Sequence, residues 1–293
     1  MWTTLTYNST SKAYEATITA PGTTSFNLSG GYYPVAIEAT NTAGTTTRVD
    51  PTSDTIGTAL RLVVKETVAP VITITSPTSG ARVVNNKQPV VFTITDAAGG
   101  SGVKLSSLVV KQDGTTVASG TITSTAITNG YTVTYTPAAA LTDGSHTITV
   151  NVQDNDGNAA TQKTTTFTVD TVPPVLNVSS PAEGFITNST SVVASGTTND
   201  ATSSPVTLTQ ALDGGTAQAV TVASNGSFTK TWSGLTHGEH YIDFVAKDSA
   251  GKTSTVRRNF TVDTSSPVIS SVTITPNPAD TGETMVLRVV VTG

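Results

Sequence analysis

The 293-residue sequence has no cysteine, few aromatic residues (5%), few charged residues (12%) and no long hydrophobic run. Each shortage excludes something. Without thiols there are no disulfide staples, no thiol nucleophile and no thiolate metal ligands. The apolar runs fall far short of the roughly 18 residues that a spanning helix needs, so no membrane insertion is expected. The first residues, MWTTLTYNST, lack the basic start and apolar stretch of a secretory signal, which reads as a protein made in a cytoplasm. A net charge of -5 with no basic cluster argues against nucleic acid, since neutralising phosphates requires grouped Lys and Arg.

What remains is strand chemistry. Hydrophobic residues make up 36%, enough for real cores, and 24 Gly and 14 Pro punctuate short runs of Val, Ile and Thr. No apolar stripe of helical period extends over ten or more residues. The expectation is an all-β chain.

Internal repeats give the organisation. LSGGYYPVAIEATNTAG from Leu28, LTDGSHTITVNVQDNDG from Leu141 and LTHGEHYIDFVAKDSAG from Leu235 align without a gap. Each has a Leu-to-Gly corner, then alternating apolar positions, then a tight turn ending at Gly44, Gly157 or Gly251. That is a strand entering from a corner and leaving through a hairpin, as strands F and G of an immunoglobulin-like (Ig-like) sandwich do. Domain starts repeat too: ETVAPVITITSP from Glu66, DTVPPVLNVSSP from Asp170 and DTSSPVISSVTITP from Asp263. Their spacing is close to the roughly 100 residues of such a sandwich.

On these motifs the chain resembles bacterial-type Ig-like repeats. More narrowly, it is similar to the cysteine-free Ig-like proteins encoded with the tail genes of phages and prophages of Gram-positive bacteria. The resemblance implies tandem β-sandwiches and structural, spacer or adhesive work, with no catalytic residue to carry over.

The expected domains are a partial one at 1–66 (strands C to G), complete ones at 67–170 and 171–263, and strands A and B of a further domain at 264–293. The front piece and the tail together amount to one domain, so the terminal domain reads as split. In the tail, Val272 and Ile274 of strand A and Met285, Leu287, Val289 and Val291 of strand B should form an inner face. If the complete sandwiches stack end to end, one chain cannot bring its own two pieces together. Head-to-tail strand complementation between copies would then close the domain, giving a ring or a filament. Docking on another virion protein, local closure and fraying are the competing outcomes.

Acidic residues gather where the incoming linker, the B–C loop and the F–G turn of one sandwich converge. These are Glu66, Asp96, Asp154 and Asp156 in one domain and Asp170, Asp200 and Asp248 in the next. Hard carboxylate oxygens in that arrangement suit Ca²⁺, although Asp also favours turns for its own local hydrogen bonds. No other cofactor is indicated. His146 and His240 share one place in the corner repeat and read as packing residues, and the HGEH stretch lacks the helical spacing of a zinc motif. The loop TDAAGGSGV has no Lys to hold phosphate and reads as flexible. No GxSxG elbow or triad appears.

The functional expectation is a non-enzymatic structural or decorative component of a phage tail or related particle, with other copies or virion proteins as partners. The alternative is an adhesin on a virion or a bacterial cell surface, gripping a host glycan or protein receptor.

Overall fold

Alternation of side chains across each strand decides what is buried. The computed structural model describes residues 2–292. The chain divides into two units, residues 1–81 with 86–168 and residues 82–85 with 169–293.

The first unit begins with six short strands: β1 (Thr6–Asn8), β2 (Ala13–Glu15), β3 (Tyr33–Pro34), β4 (Ile37–Thr40), β5 (Thr46–Val49) and β6 (Arg61–Leu62). Among the described residues they pair as β1 with β2, β3 with β6 and β4 with β5. The expected run of strands C to G is therefore fragmentary. YEATITAP is strand only at its start, and the strand after the corner breaks between Pro34 and Ile37. Among the described residues each of these pairs forms a separate two-stranded sheet, and Tyr7, Tyr14, Ile18, Phe26 and Ile37 are exposed.

A sandwich follows. Its strands are β7 (Val71–Ser76), β8 (Ala81–Val83), β9 (Val90–Thr95), β10 (Val103–Gln112), β11 (Thr115–Thr116), β12 (Ile122–Ile127), β13 (Gly130–Tyr135), β14 (Gly144–Asp154) and β15 (Lys163–Val169). One sheet runs β12-β13-β9-β7 and the other β11-β10-β14-β15-β8. Period-two alternation points Phe92 and Ile94 of β9, Val133 of β13 and Ile148 and Val150 of β14 inward, each 0% exposed. Each such side chain contributes roughly 1.5–3 kcal/mol by leaving water.

The second unit repeats the plan with β16 (Val175–Ser180), β17 (Phe185–Thr187), β18 (Ser191–Asn199), β19 (Thr207–Leu212), β20 (Gln218–Val220), β21 (Ser227–Ser233), β22 (Gly238–Lys247) and β23 (Thr253–Val262). Its sheets are β16-β18-β21 and β17-β23-β22-β19-β20, with β17 parallel to β23 and the other pairs antiparallel. Val192, Leu208, Phe228, Ile242, Phe244 and Phe260 fill the space between them, and Trp232 packs against that core from its edge.

The chain closes with a hairpin, β24 (Val268–Thr275) against β25 (Val286–Thr292). Every residue of both strands is exposed, so the inner face expected of this segment is not buried here. Among the described residues no helix is long and apolar enough to cross a membrane.

Candidate functional sites

The inward face of strand F ends in polar groups at both poles of each sandwich. Along β14 it reads His146, Ile148, Val150, Val152, Asp154, all buried. Along β22 and just past it, the sequence is His240, Ile242, Phe244, Ala246, Asp248. Period two thus carries a carboxylate to the F–G pole, where the following turn folds over it. Asp154 Oδ1 accepts from the Gly157 and Asn158 N–H groups at 2.6 and 2.8 Å, and Asp248 Oδ1 from those of Gly251 and Lys252 at 2.7 and 2.9 Å.

Two acidic triads form at these poles. Glu66, Asp96 and Asp154 each bring one ligand-capable oxygen within 4.8 Å of the others, and so do Asp170, Asp200 and Asp248. Asp156 is the exception among the expected set. Its Oδ2 accepts hydrogen bonds from Thr24 Oγ1 at 2.5 Å and the Glu66 N–H at 3.0 Å, so it holds the chain entering the sandwich and does not join the triad.

The two triads differ in how their oxygens are satisfied. In the first, the glycine-rich loop is tied down, not free. The Ser101 N–H donates to Glu66 Oε1, the Gly102 N–H to Asp96 Oδ2 at 2.7 Å, and the Asn158 side-chain amide to Asp154 Oδ2 at 2.8 Å. The loop lies so close that a Cβ on Gly100 would sit 2.6 Å from Glu66 Oε2 and 2.9 Å from Asp96 Oδ2. Little room is left for a substrate over these carboxylates. A shallow cavity of about 330 Å³ beside the loop has Glu66 as its one acidic lining residue.

In the second triad each carboxylate commits one oxygen to backbone N–H groups: Asp170 Oδ1 to Val172, Asp200 Oδ1 to Thr202 and Ser203, Asp248 Oδ1 to Gly251 and Lys252. Asp170 Oδ2, Asp248 Oδ2 and the Ser203 hydroxyl are buried without a hydrogen-bond partner. Asp170 and Ser203 are 0% exposed and Asp248 5%.

At the opposite pole, His146 Nδ1 faces Asp113 Oδ2 at 2.8 Å and Nε2 faces the Thr142 carbonyl at 2.8 Å. His240 repeats this with Asp213 at 2.7 Å and Thr236 at 2.8 Å. The rings also pack on Phe167 and Phe260. The aspartates went unread in the sequence. Their signal is the shared Asp-Gly at the turn between β10 and β11 and between β19 and β20 (the C–C′ turn of each sandwich), where Asp113 and Asp213 hold positive φ.

The terminal hairpin sorts its residues by face. Cross-strand pairs Ile269–Val291, Val272–Val289 and Ile274–Leu287 place six aliphatic side chains together, while Arg288, Thr273 and Val290 lie on the other face. Met285 lies just before β25 and is 57% exposed. The corresponding pairs of β7 and β9, Ile72–Ile94 and Ile74–Phe92, face a packed core.

Residues 71–171 match the family model described as bacterial Ig-like domain, and residues 174–264 match glucodextranase domain B. The Ig-like assignment and the all-β tandem sandwich architecture therefore stand. Among curated proteins the chain is 29% identical over 229 residues to a protein named Chitinase ChiA from Flavobacterium johnsoniae, covering 73% of this chain and 14% of that protein. The chain thus spans about a seventh of that relative. Similar solved structures include the fibronectin(III)-like modules of Clostridium thermocellum CbhA, at 18% identity, TM-score 0.38 and coverage of 66% of this chain and 94% of that one. A tetra-tandem repeat from the extending region of a large adhesion protein has 20% identity, TM-score 0.32 and coverage of 89% and 70%.

Proposed function

We propose that this chain is a non-enzymatic structural run of Ig-like sandwiches in a particle such as a phage tail, joined to further copies of itself through its terminal hairpin. One observation carries the proposal: the apolar face of β24 and β25, whose six aliphatic side chains have no cover. A hairpin of this kind is the A–B corner of a sandwich, and residues 2–66 carry the corner and hairpin of strands F and G with apolar side chains equally exposed. Docking the hairpin of one copy on that region of the next would hide both surfaces and cap the strand edges. At roughly 1.5–3 kcal/mol per buried aliphatic side chain, six are enough to oppose the entropy of association.

The contact is head-to-tail, so it generates closed rings or open filaments. Light scattering of the purified chain over a range of concentrations tests it. Defined multiples or growing filaments support the proposal, and a monomer at every concentration overturns it.

The match to a chitinase favours a second reading, in which the sandwiches space the parts of a longer chitin-degrading protein. The hairpin would then be covered by a neighbouring domain of the same polypeptide, and the chain would stay monomeric.

A further inference from the structure

We propose that Asp170, Asp200 and Asp248 bind a divalent cation of the hard, oxygen-preferring class, with Ca²⁺ the best fit, and that the similar triad at Glu66, Asp96 and Asp154 has no comparable need of one.

The proposal rests on two independent observations. Three carboxylates converge to within 4.8 Å, and two of their oxygens, with the Ser203 hydroxyl, are buried with no donor. Either observation alone would be weak. Together they describe three converging carboxylates with two buried oxygens that lack a donor, an arrangement that a bound cation would satisfy. The backbone supports that geometry. In each aspartate the partner oxygen is already fixed by turn N–H groups, so the free oxygen is held in place and not merely present.

The first triad serves as an internal comparison. There the inward oxygens receive N–H donors from Ser101, Gly102 and the Asn158 amide. At the position of Asn158 the second sandwich has Lys252, which reaches Asp248 through its backbone N–H. The same fold position is thus closed by an amide in one domain and open in the next.

Ligand chemistry selects the ion. All the available groups are oxygens, which suits Ca²⁺ or Mg²⁺ and disfavours metals that prefer nitrogen or sulfur. Two ligands of one ion lie no further apart than twice the metal–oxygen distance, about 4.6–5.2 Å for Ca²⁺ and about 4.0–4.2 Å for Mg²⁺. Oxygens that lie within 4.8 Å of one another fit inside the Ca²⁺ limit, and the choice of Ca²⁺ over Mg²⁺ rests on its tolerance of irregular, protein-supplied oxygen geometry.

The experiment is calorimetric titration of CaCl₂ into the chelator-treated full chain, with thermal melts in chelator and in excess Ca²⁺. The expected result is saturable binding and an upward shift of several degrees in one melting transition, by linkage. Both should disappear in Asp170→Asn and Asp248→Asn and persist in Asp154→Asn. In chelator, Asp248→Asn should melt at or above the unchanged protein, because it relieves repulsion; a residue with only a structural role would lower the melt. Absence of binding at 10 mM Ca²⁺ (about a thousandfold above a sensor-type site), loss only in Asp154→Asn, or preference for Mg²⁺ over Ca²⁺ would each overturn the proposal.

Discussion

His146 and Asp113 meet at 2.8 Å across the C–C′ turn, and the imidazole's other nitrogen meets the Thr142 carbonyl at the same distance. An imidazole with acceptors on both sides is best satisfied when both nitrogens carry protons. Burial pulls the His146 pKa down, but the Asp113 hydrogen bond, the Thr142 carbonyl and the Asp113 charge outweigh it, and the value is raised. His240 is raised in the same way, its burial outweighed by Thr236 and Asp213.

The pH dependence follows from that direction. A raised histidine stabilises the fold fully below its unfolded value of about 6.5 and loses that contribution as pH climbs through the folded value. Asp113 has the opposite sign: burial raises its pKa, yet hydrogen bonds from His146 and Thr147 and the His146 charge bring it below the usual value, so its contribution is lost in acid. Melting temperature should therefore fall between pH 6 and 8. Replacing both histidines with Gln should flatten that slope, and a slope unchanged in the double variant would show that other groups set it.

Gly196 lies in β18 where two neighbours crowd it. A Cβ there would fall 2.1 Å from the Asn177 carbonyl oxygen and 2.7 Å from Phe228 Cζ. Backbone and core ring must both shift, so Gly196→Ala should cost about 3 kcal/mol or more, measured as a lower urea midpoint. A loss under about 0.5 kcal/mol would mean that the β16–β18 pairing is looser than described.

Asp96 anchors the glycine-rich loop through the Ala97 and Gly102 N–H groups at 2.8 and 2.7 Å. Asp96→Ala strands both donors and should cost about 1–3 kcal/mol. Amide hydrogen exchange at Gly102 should accelerate with it. Unchanged exchange there would show that the loop is held by other contacts.

The strands of the two complete sandwiches were legible because their signals are local. Period-two alternation and the Leu-to-Gly corners at Leu141 and Leu235 need no knowledge of distant partners. The polar convergence of Asp170, Asp200 and Asp248 could be placed from topology alone. What escaped depends on orientation. Residue types do not reveal that the loop amides of Ser101 and Gly102 turn toward Glu66 and Asp96, that Asp156 turns toward Thr24, or that the Asp-Gly turns aim Asp113 and Asp213 at the corner histidines. The hairpin shows the same limit. Its alternation marks two faces, but a buried face requires a covering sheet, and alternation says nothing about where that sheet comes from.

Face-specific substitution separates assembly from general stickiness. Val289 and Leu287 project with Ile274 and Val272 on the aliphatic face, and Arg288 projects from the other. If copies join through that face, Val289→Asp places a carboxylate in the contact and should reduce association at least tenfold. Because every residue of β24 and β25 is exposed, the unfolding of both sandwiches should be unchanged, which circular dichroism can verify. Arg288→Asp alters the charge by more, yet leaves the aliphatic face intact and should preserve the assembled mass. Equal loss in both variants would point to nonspecific charge effects, and no loss in either would remove the hairpin from the joint.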